Sequence, residues 1–263
     1  MDFVDERAVR EALSPRFPGI TVLAVPETGS TNTDLIEAYA SGERTGITVL
    51  TTLRQVRGRG THGRVWSGVK ESMPFSIALP APAPRYLPPV PLLAGFAMAA
   101  AFRQAGAPVS VKWPNDLWLP HGKMGGILTE AVKTPSGSAV VIGTGINLEL
   151  EPEARQGASY PVAALEDALG EEDPARLRTR WLSWLSEAVL SEVTAYFKTL
   201  AMPDWSRWKG LGFLDGKRIA ADNNAGEVLR GRCAGIDRDG ALLLEEEDGT
   251  MRRIVSASIR AEE

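Results

Sequence analysis

Apolar residues recur along this chain with two alternating periods, and the changes of period mark its elements. Val4, Val9 and Leu13 fall on one face of a short amphipathic helix within residues 1–20, ending at Ser14-Pro15. Ile20 to Val25 alternates as a strand and leads into ETGSTNTDLIEAYASG. There Leu35, Ile36 and Tyr39 share a helical face, Thr31 with Asp34 resembles a capping box, and Gly42 ends the helix. Ile47–Leu53 and Pro74–Leu79 read as buried strands, and residues 80–91 as a proline-rich connector. Leu92–Gln104 is apolar on nearly every face and stops at Gly106, which predicts a buried helix.

VSVKWPNDLWL predicts strand, turn, strand, with Pro114-Asn115 in the turn and Asp116 just after it. HGKMGGILTEAV and VVIGTGINL predict two further strands. Lys123 opens the first beside glycine, and Asn147 lies at the exit of the second. Leu148–Tyr160 is polar and patternless, as a mobile loop would be. Asp173-Pro174 is a cap and first-position pair for a long helix to about Leu200, with Trp181, Leu185 and Val189 on one face. Trp205–Gly212 reads as a hinge. The short strands after it, separated by DRDG and EDG turns, predict a small β-barrel. The expected fold is therefore α+β: one domain over residues 1–205 with a mixed, mostly antiparallel sheet and packed helices, then a small C-terminal β-barrel over 206–263. GTGIN lacks the third glycine and the following helix of a dinucleotide-binding turn.

Composition narrows the class. A 263-residue chain that is 44% hydrophobic can bury a full core. Its single cysteine, Cys233, excludes an intrachain disulfide and a cysteine zinc cluster. MDFVDERAVREAL is acidic and lacks the apolar run of a signal peptide. No stretch reaches the ~18 consecutive apolar residues that span a bilayer. The expectation is a cytoplasmic protein with no membrane partner. A net charge of -4 gives no global attraction to nucleic acid.

Against that acidic background, RQVRGRGTHGRVW carries Arg54, Arg57, Arg59 and Arg64, no acid, and glycines at 58, 60 and 63. Glycine lets backbone N–H groups approach a ligand, and guanidinium groups offer forked donors to phosphate and carboxylate. Such a loop suits a small anion; a solvated basic loop or a nucleic-acid patch has the same composition. Ser30, Thr31 and Asn32 sit at a helix N-terminus, suited either to a ligand's polar head or to plain capping. An anion loop, a lysine beside glycine and an aspartate at a turn are together equipped to activate a carboxylate. Attachment to the α-phosphate of ATP turns a poor acyl donor into a mixed anhydride with AMP as leaving group.

GSTN, QVRGRGTHGRVW, KWPNDL, GKMGGIL and GTGINL occur in that order, followed by SRW, GIDRDGALLLE and SIR. From about residue 20 to its end the chain resembles the biotin protein ligases, which implies that residues 1–205 are a catalytic domain and that the barrel over 206–263 is SH3-like. The resemblance implies that biotin and ATP give biotinyl-5′-AMP and pyrophosphate, and that a lysine of a biotin carboxyl carrier domain then takes the biotin as an amide. It implies that Ser30, Thr31, Asn32 and Gln55 hold the biotin head group, that Gly58, Arg59 and Gly60 embrace the carboxylate and phosphate, and that Thr61 is among the biotin-binding residues. Lys123 would bridge carboxyl and α-phosphate, and Asp116 would face the incoming lysine. Arg64, Trp66, Asn147 and Arg260 would lie on the nucleotide side. Lys123, Asp116 and Arg59 form the implied catalytic set, with Mg2+ carried by phosphates and water and no protein metal site.

Thr61 stands where many members have a third arginine, so that one phosphate contact is either missing or supplied by Arg57 or Arg64; Tyr160 stands roughly where some have tryptophan. Arg57 itself reads either as a ligand contact or as a solvated charge. Trp113 and Trp118 read as core or interface aromatics, and His62 and His121 as solvated loop residues. Members occur as monomers and homodimers. The first 20 residues are too short for a winged-helix DNA-binding domain, so no nucleic-acid partner is expected. A lipoate or octanoate ligase or transferase shares the implied fold and is the alternative.

Overall fold

Seven strands form one mixed sheet whose first pair is parallel. The structure is a computed structural model that describes residues 3–60, 71–151, 153, 160–169, 174–222 and 226–262. β1 (Thr21–Thr28) and β2 (Thr48–Gln55) run parallel because α2 (Thr31–Ala40) returns the chain between them. β3 (Glu71–Pro80), β4 (Ser110–Lys112), β5 (Asp116–Leu119), β6 (Gly122–Thr134) and β7 (Gly137–Glu149) complete the order β1-β2-β3-β7-β6-β5-β4 with antiparallel pairs.

Both faces of the sheet are covered, which is why its strands read as nearly unbroken apolar runs. Val49, Ile77 and Val140 pack in the core shared with α1 (Glu6–Leu13), α3 (Val90–Gln104) and α5 (Pro174–Thr199). Their neighbours Leu50, Ala78 and Val141 point the other way, onto Leu35 and Tyr39 of α2. Trp181 of α5 is fully buried, its ring centroid 4.5 Å from that of Phe102 on α3.

A five-stranded antiparallel sheet follows: β8 (Arg218–Asp222), β9 (Val228–Ile236), β10 (Leu242–Glu245), β11 (Met251–Ile254) and β12 (Ser258–Ala261), in the order β11-β10-β9-β8-β12. The segment read as a hinge is docked. Val111 donates to Leu211 O at 2.7 Å and accepts from Phe213 N at 2.8 Å, so residues 211–213 cover the free edge of β4. Trp113 Nε1 donates to Gly240 O at 2.9 Å, and Trp118 packs on Phe213 with centroids 4.7 Å apart. Trp113 and Trp118, read from the sequence as core or interface aromatics, are both buried, at the junction with the C-terminal segment.

Other boundaries differ from the sequence reading. Ser30, not Thr31, is the N-cap of α2; it is extended and accepts from Thr33 N at 3.5 Å. Asp34 takes the hydroxyl of Thr28 at the end of β1 instead of closing a capping box. MRRIVSASIR is split between β11 and β12. A short α4 (Glu166–Leu169) occupies a stretch with no clear period. The Asp173 cap lies outside the described residues.

Trp181→Ala is expected to destabilise the fold by about 3–5 kcal/mol through the cavity it leaves. Urea unfolding measures this, and a wild-type midpoint would contradict the packing described.

Candidate functional site

α2 covers only part of its face of the sheet, and a pocket opens at its N-terminus over β2, β7, β6 and β5. Ser30, Thr31, Asn32, Gln55, Arg59, Gly60, Asp116 and Lys123 all line it. Eight residues singled out from four separate motifs therefore converge.

One hydrogen-bonded network fixes the α2 end. Gln55 Oε1 accepts from Thr31 N at 2.9 Å and Thr31 Oγ1 at 3.1 Å. Ser76 Oγ lies 2.7 Å from Thr31 Oγ1 and donates to Asn32 Oδ1 at 2.6 Å. Asn32 Nδ2 donates to Glu130 Oε2 at 2.8 Å and to Leu128 O at 3.3 Å. Asn32 is thus turned onto the sheet. It gets there because Gly143 has no side chain: a Cβ at that position would lie 2.1 Å from Asn32 Oδ1.

The opposite wall depends on a β-bulge. Along β6, Ile127 faces the α3 core, while Glu130 faces α2. Strict alternation would put Lys123 on the core side with Ile127. Against β5, however, Leu117 pairs with Gly125 and Trp118 with Lys123, so Met124 is an extra residue. The bulge sends Met124 into the core and Lys123 into the pocket. There Lys123 Nζ lies 2.7 Å from Asp116 Oδ1, with side chains 16% and 24% exposed. Asn115 holds β5 in place, donating from Nδ2 to Ile127 O at 2.6 Å and accepting from Ile127 N at 2.9 Å.

The arginines divide. Arg54 pairs with Glu27, its register partner on β1, and stands off the pocket. The guanidinium of Arg57 lies over Gly29, outside the pocket lining. Arg59 enters it, pairing with Glu130 at 3.1 Å and Thr33 Oγ1 at 3.3 Å. Gly58 is buried. Thr61, His62, Arg64 and Trp66 lie outside the described residues.

Asn147 does not line this pocket. Its Nδ2 donates to Ala163 O at 2.9 Å, while its buried Oδ1 has no hydrogen-bond partner among the described residues. Residues 161–163 run along Lys123, whose N–H donates to Pro161 O at 2.9 Å and whose O accepts from Ala163 N at 2.9 Å. Tyr160 brings its ring within 5.6 Å of Lys123 Nζ. His121 pairs with Asp167 at 3.3 Å and is half exposed.

Behind the Lys123–Asp116 pair lies a second cavity, a cleft of ≈ 750 Å³ between the large sheet and the C-terminal strands, lined by Lys112, Asp116, Lys123, Tyr160, Asp222 and Arg260. Lys123 and Asp116 belong to both cavities. Burial, foremost, pushes the Lys112 ammonium below its ordinary pKa; Lys123 and Lys217 add to this, and Asp116 opposes it. Sequence reasoning missed Ser76, Glu130, Gly143 and Lys112. A serine inside the apolar run of β3 was a signal for the first. Glu130 had none, since its partners are 71 and 98 residues away.

This geometry suits a small ligand with a polar head at the α2 terminus and an anionic end at Arg59 and Lys123, joined to a second reactant entering from the cleft. Residues 25–147 match the Biotin/lipoate A/B protein ligase family, and residues 216–260 the biotin protein ligase C-terminal domain. The chain is 29% identical to the biotin–[acetyl-CoA-carboxylase] ligase of Mycobacterium tuberculosis, over 97% of this chain and 94% of that one. It is 32% identical to a bifunctional ligase/repressor of Salmonella typhimurium, over 88% of this chain and 71% of the relative. Its fold is similar to that of a biotin protein ligase from Aquifex aeolicus solved in complex with biotin and ATP, with TM-score 0.69 and 24% identity over 92% of this chain and 99% of that one.

Gly143→Ala is expected to push the first turn of α2 off the sheet and cost about 1–3 kcal/mol. Hydrogen exchange should quicken at the amides of residues 31–34; unchanged exchange and melting temperature would contradict the close approach of Asn32.

Proposed function

The chain belongs to the biotin protein ligase family, and we propose that it activates biotin as biotinyl-5′-AMP and transfers it to a lysine of a biotin carboxyl carrier domain. The observation that carries this reading is the Lys123–Asp116 pair on the wall between pocket and cleft, where two reactants arriving from opposite sides meet one cation and one carboxylate.

In the first step a biotin carboxylate oxygen attacks the α-phosphorus of ATP. The bond to the bridging oxygen breaks, and pyrophosphate leaves with its electron pair. We assign Ser30, Thr31 and Gln55 to the head group, ordered by Asn32, and Lys123 to the charge developing between carboxylate and α-phosphate. Arg59 joins it, with Gly58 and Gly60 allowing close backbone approach. Its pair with Glu130 is half exposed, and such pairs are worth about 0–1 kcal/mol, so an incoming phosphate displaces it at little cost. The buried Oδ1 of Asn147, which has no hydrogen-bond partner among the described residues, is open to a donor such as the adenine amino group. Arg260 lines the cleft from the C-terminal strands, consistent with a nucleotide-side role. No group of three or more His, Cys, Asp or Glu suited to a metal occurs among the described residues. We assign Mg2+ to the phosphates and water.

In the second step the neutral amine of the carrier lysine attacks the carbonyl carbon, the bond from carbon to the phosphate oxygen breaks, and AMP leaves. A free lysine has a pKa of about 10.4, so a group must favour loss of its proton. We assign that part to Asp116, whose carboxylate reaches the cleft. Residues 1–205 then carry the chemistry, and residues 206–263 wall the cleft. Among the described residues no helix is long and apolar enough to cross a membrane. The residues before β1 contribute α1 to the core, and this reading assigns no nucleic-acid partner. It favours the biotin substrate over lipoate, because the C-terminal strands match the biotin protein ligase C-terminal domain.

Lys123→Ala should lower biotin-dependent pyrophosphate release by roughly two to four powers of ten; release at the wild-type rate would remove Lys123 from the first step. Asp116→Ala should slow transfer of preformed biotinyl-5′-AMP to the carrier more than adenylate formation. Equal loss of both half-reactions would exclude a transfer-specific role for Asp116.

A further inference from the structure

Lys112 is the first residue of the KWPND segment and the last of β4, directly across the ladder from Asp116. Its ammonium sits 4.4 Å from the Trp118 ring centroid, and it makes no ion pair among the described residues. It lines the cleft from the large sheet, while Arg260 lines it from β12. Asp116, opposite it, is already held by Lys123 at 2.7 Å, and Asp222 lines the same cleft from β8. Burial, foremost, disfavours its charge; Asp116 opposes this, and Lys123 and Lys217 add to it. A half-buried cation among other cations is unfavourable in an empty cleft and becomes favourable when a polyanion enters.

Resting on the ligase reading above, we propose that Lys112 is a binding residue for the β- and γ-phosphates of ATP, and so for the pyrophosphate that leaves in the first step. The placement fits in-line displacement. The carboxylate approaches from the pocket side of Lys123, and the leaving group departs into the cleft, where Lys112 stands. Lys123 then serves the α-phosphate and Lys112 the departing end. A base acting on the carrier lysine is the competing role for a lysine here, and it predicts a defect in the other half-reaction.

The test uses Lys112→Met, which keeps an apolar stem over Trp118 and removes the charge, with Lys112→Arg as the charge-retaining control. Inorganic pyrophosphate is titrated into each protein by calorimetry, and pyrophosphate-dependent consumption of preformed biotinyl-5′-AMP is followed. Lys112→Met should weaken pyrophosphate binding and raise its KM by roughly 10- to 100-fold, the scale of a lost hydrogen bond to a charged group. Transfer of preformed biotinyl-5′-AMP to the carrier should change less than about twofold in the same variant, which also shows that it is folded. Lys112→Arg should recover most of the affinity. Wild-type pyrophosphate affinity in Lys112→Met would overturn the proposal, as would a defect confined to transfer. A wild-type chain whose pyrophosphate binding depends on Lys112, but which neither makes nor consumes biotinyl-5′-AMP, would keep the anion site and overturn the ligase reading.

Discussion

The contact between Lys123 and Asp116 is the constraint on which the rest of the site depends. Two groups largely withdrawn from water lose hydration that their mutual attraction only partly returns, so a pair of this kind is weak evidence for stability. The backbone nonetheless goes out of its way to make it. Without the extra residue at Met124, Lys123 would point into the α3 core. Asn115 meanwhile bonds both ways to Ile127 and locks the strand that carries Asp116. The bulge and the clamp make sense as positioning devices for a cation that a carboxylate or phosphate can share.

The KWPND segment couples this wall to the C-terminal strands. Lys112 and Asp116 line the cleft, while Trp113 bonds to Gly240 and Trp118 packs on Phe213. The same few residues therefore shape this wall and dock the strands that line the cleft's other side. On the far side of the pocket, the counterpart is steric. α2 reaches the sheet only because position 143 is glycine, and the network through Asn32, Ser76 and Gln55 follows from that approach.

Much of the layout was legible in the sequence because burial on both faces leaves a plain signature. Strands such as Ile47–Leu53 and Val140–Leu148 are apolar without alternation, and the long helix shows its face in Trp181, Leu185 and Val189. The motif residues could be named because they cluster locally. What stayed hidden depends on partners distant in sequence. Arg54 meets Glu27 through the parallel register, and Arg59 meets Glu130 across the pocket. Three small polar residues in a row, Ser30-Thr31-Asn32, can each cap a helix, and only the end of β1 decides for Ser30. The tryptophan-rich connector looked like a hinge because nothing local reveals that residues 211–213 pair with Val111.

Pyrophosphate release from ATP, followed with biotin, lipoate and octanoate in parallel, tests the central claim most directly. Release that depends on biotin and is absent with the two lipoyl-type acids is the predicted result. Release with lipoate or octanoate alone would keep the fold and the two-step chemistry but contradict the substrate. No release with any of the three would contradict the adenylation step itself.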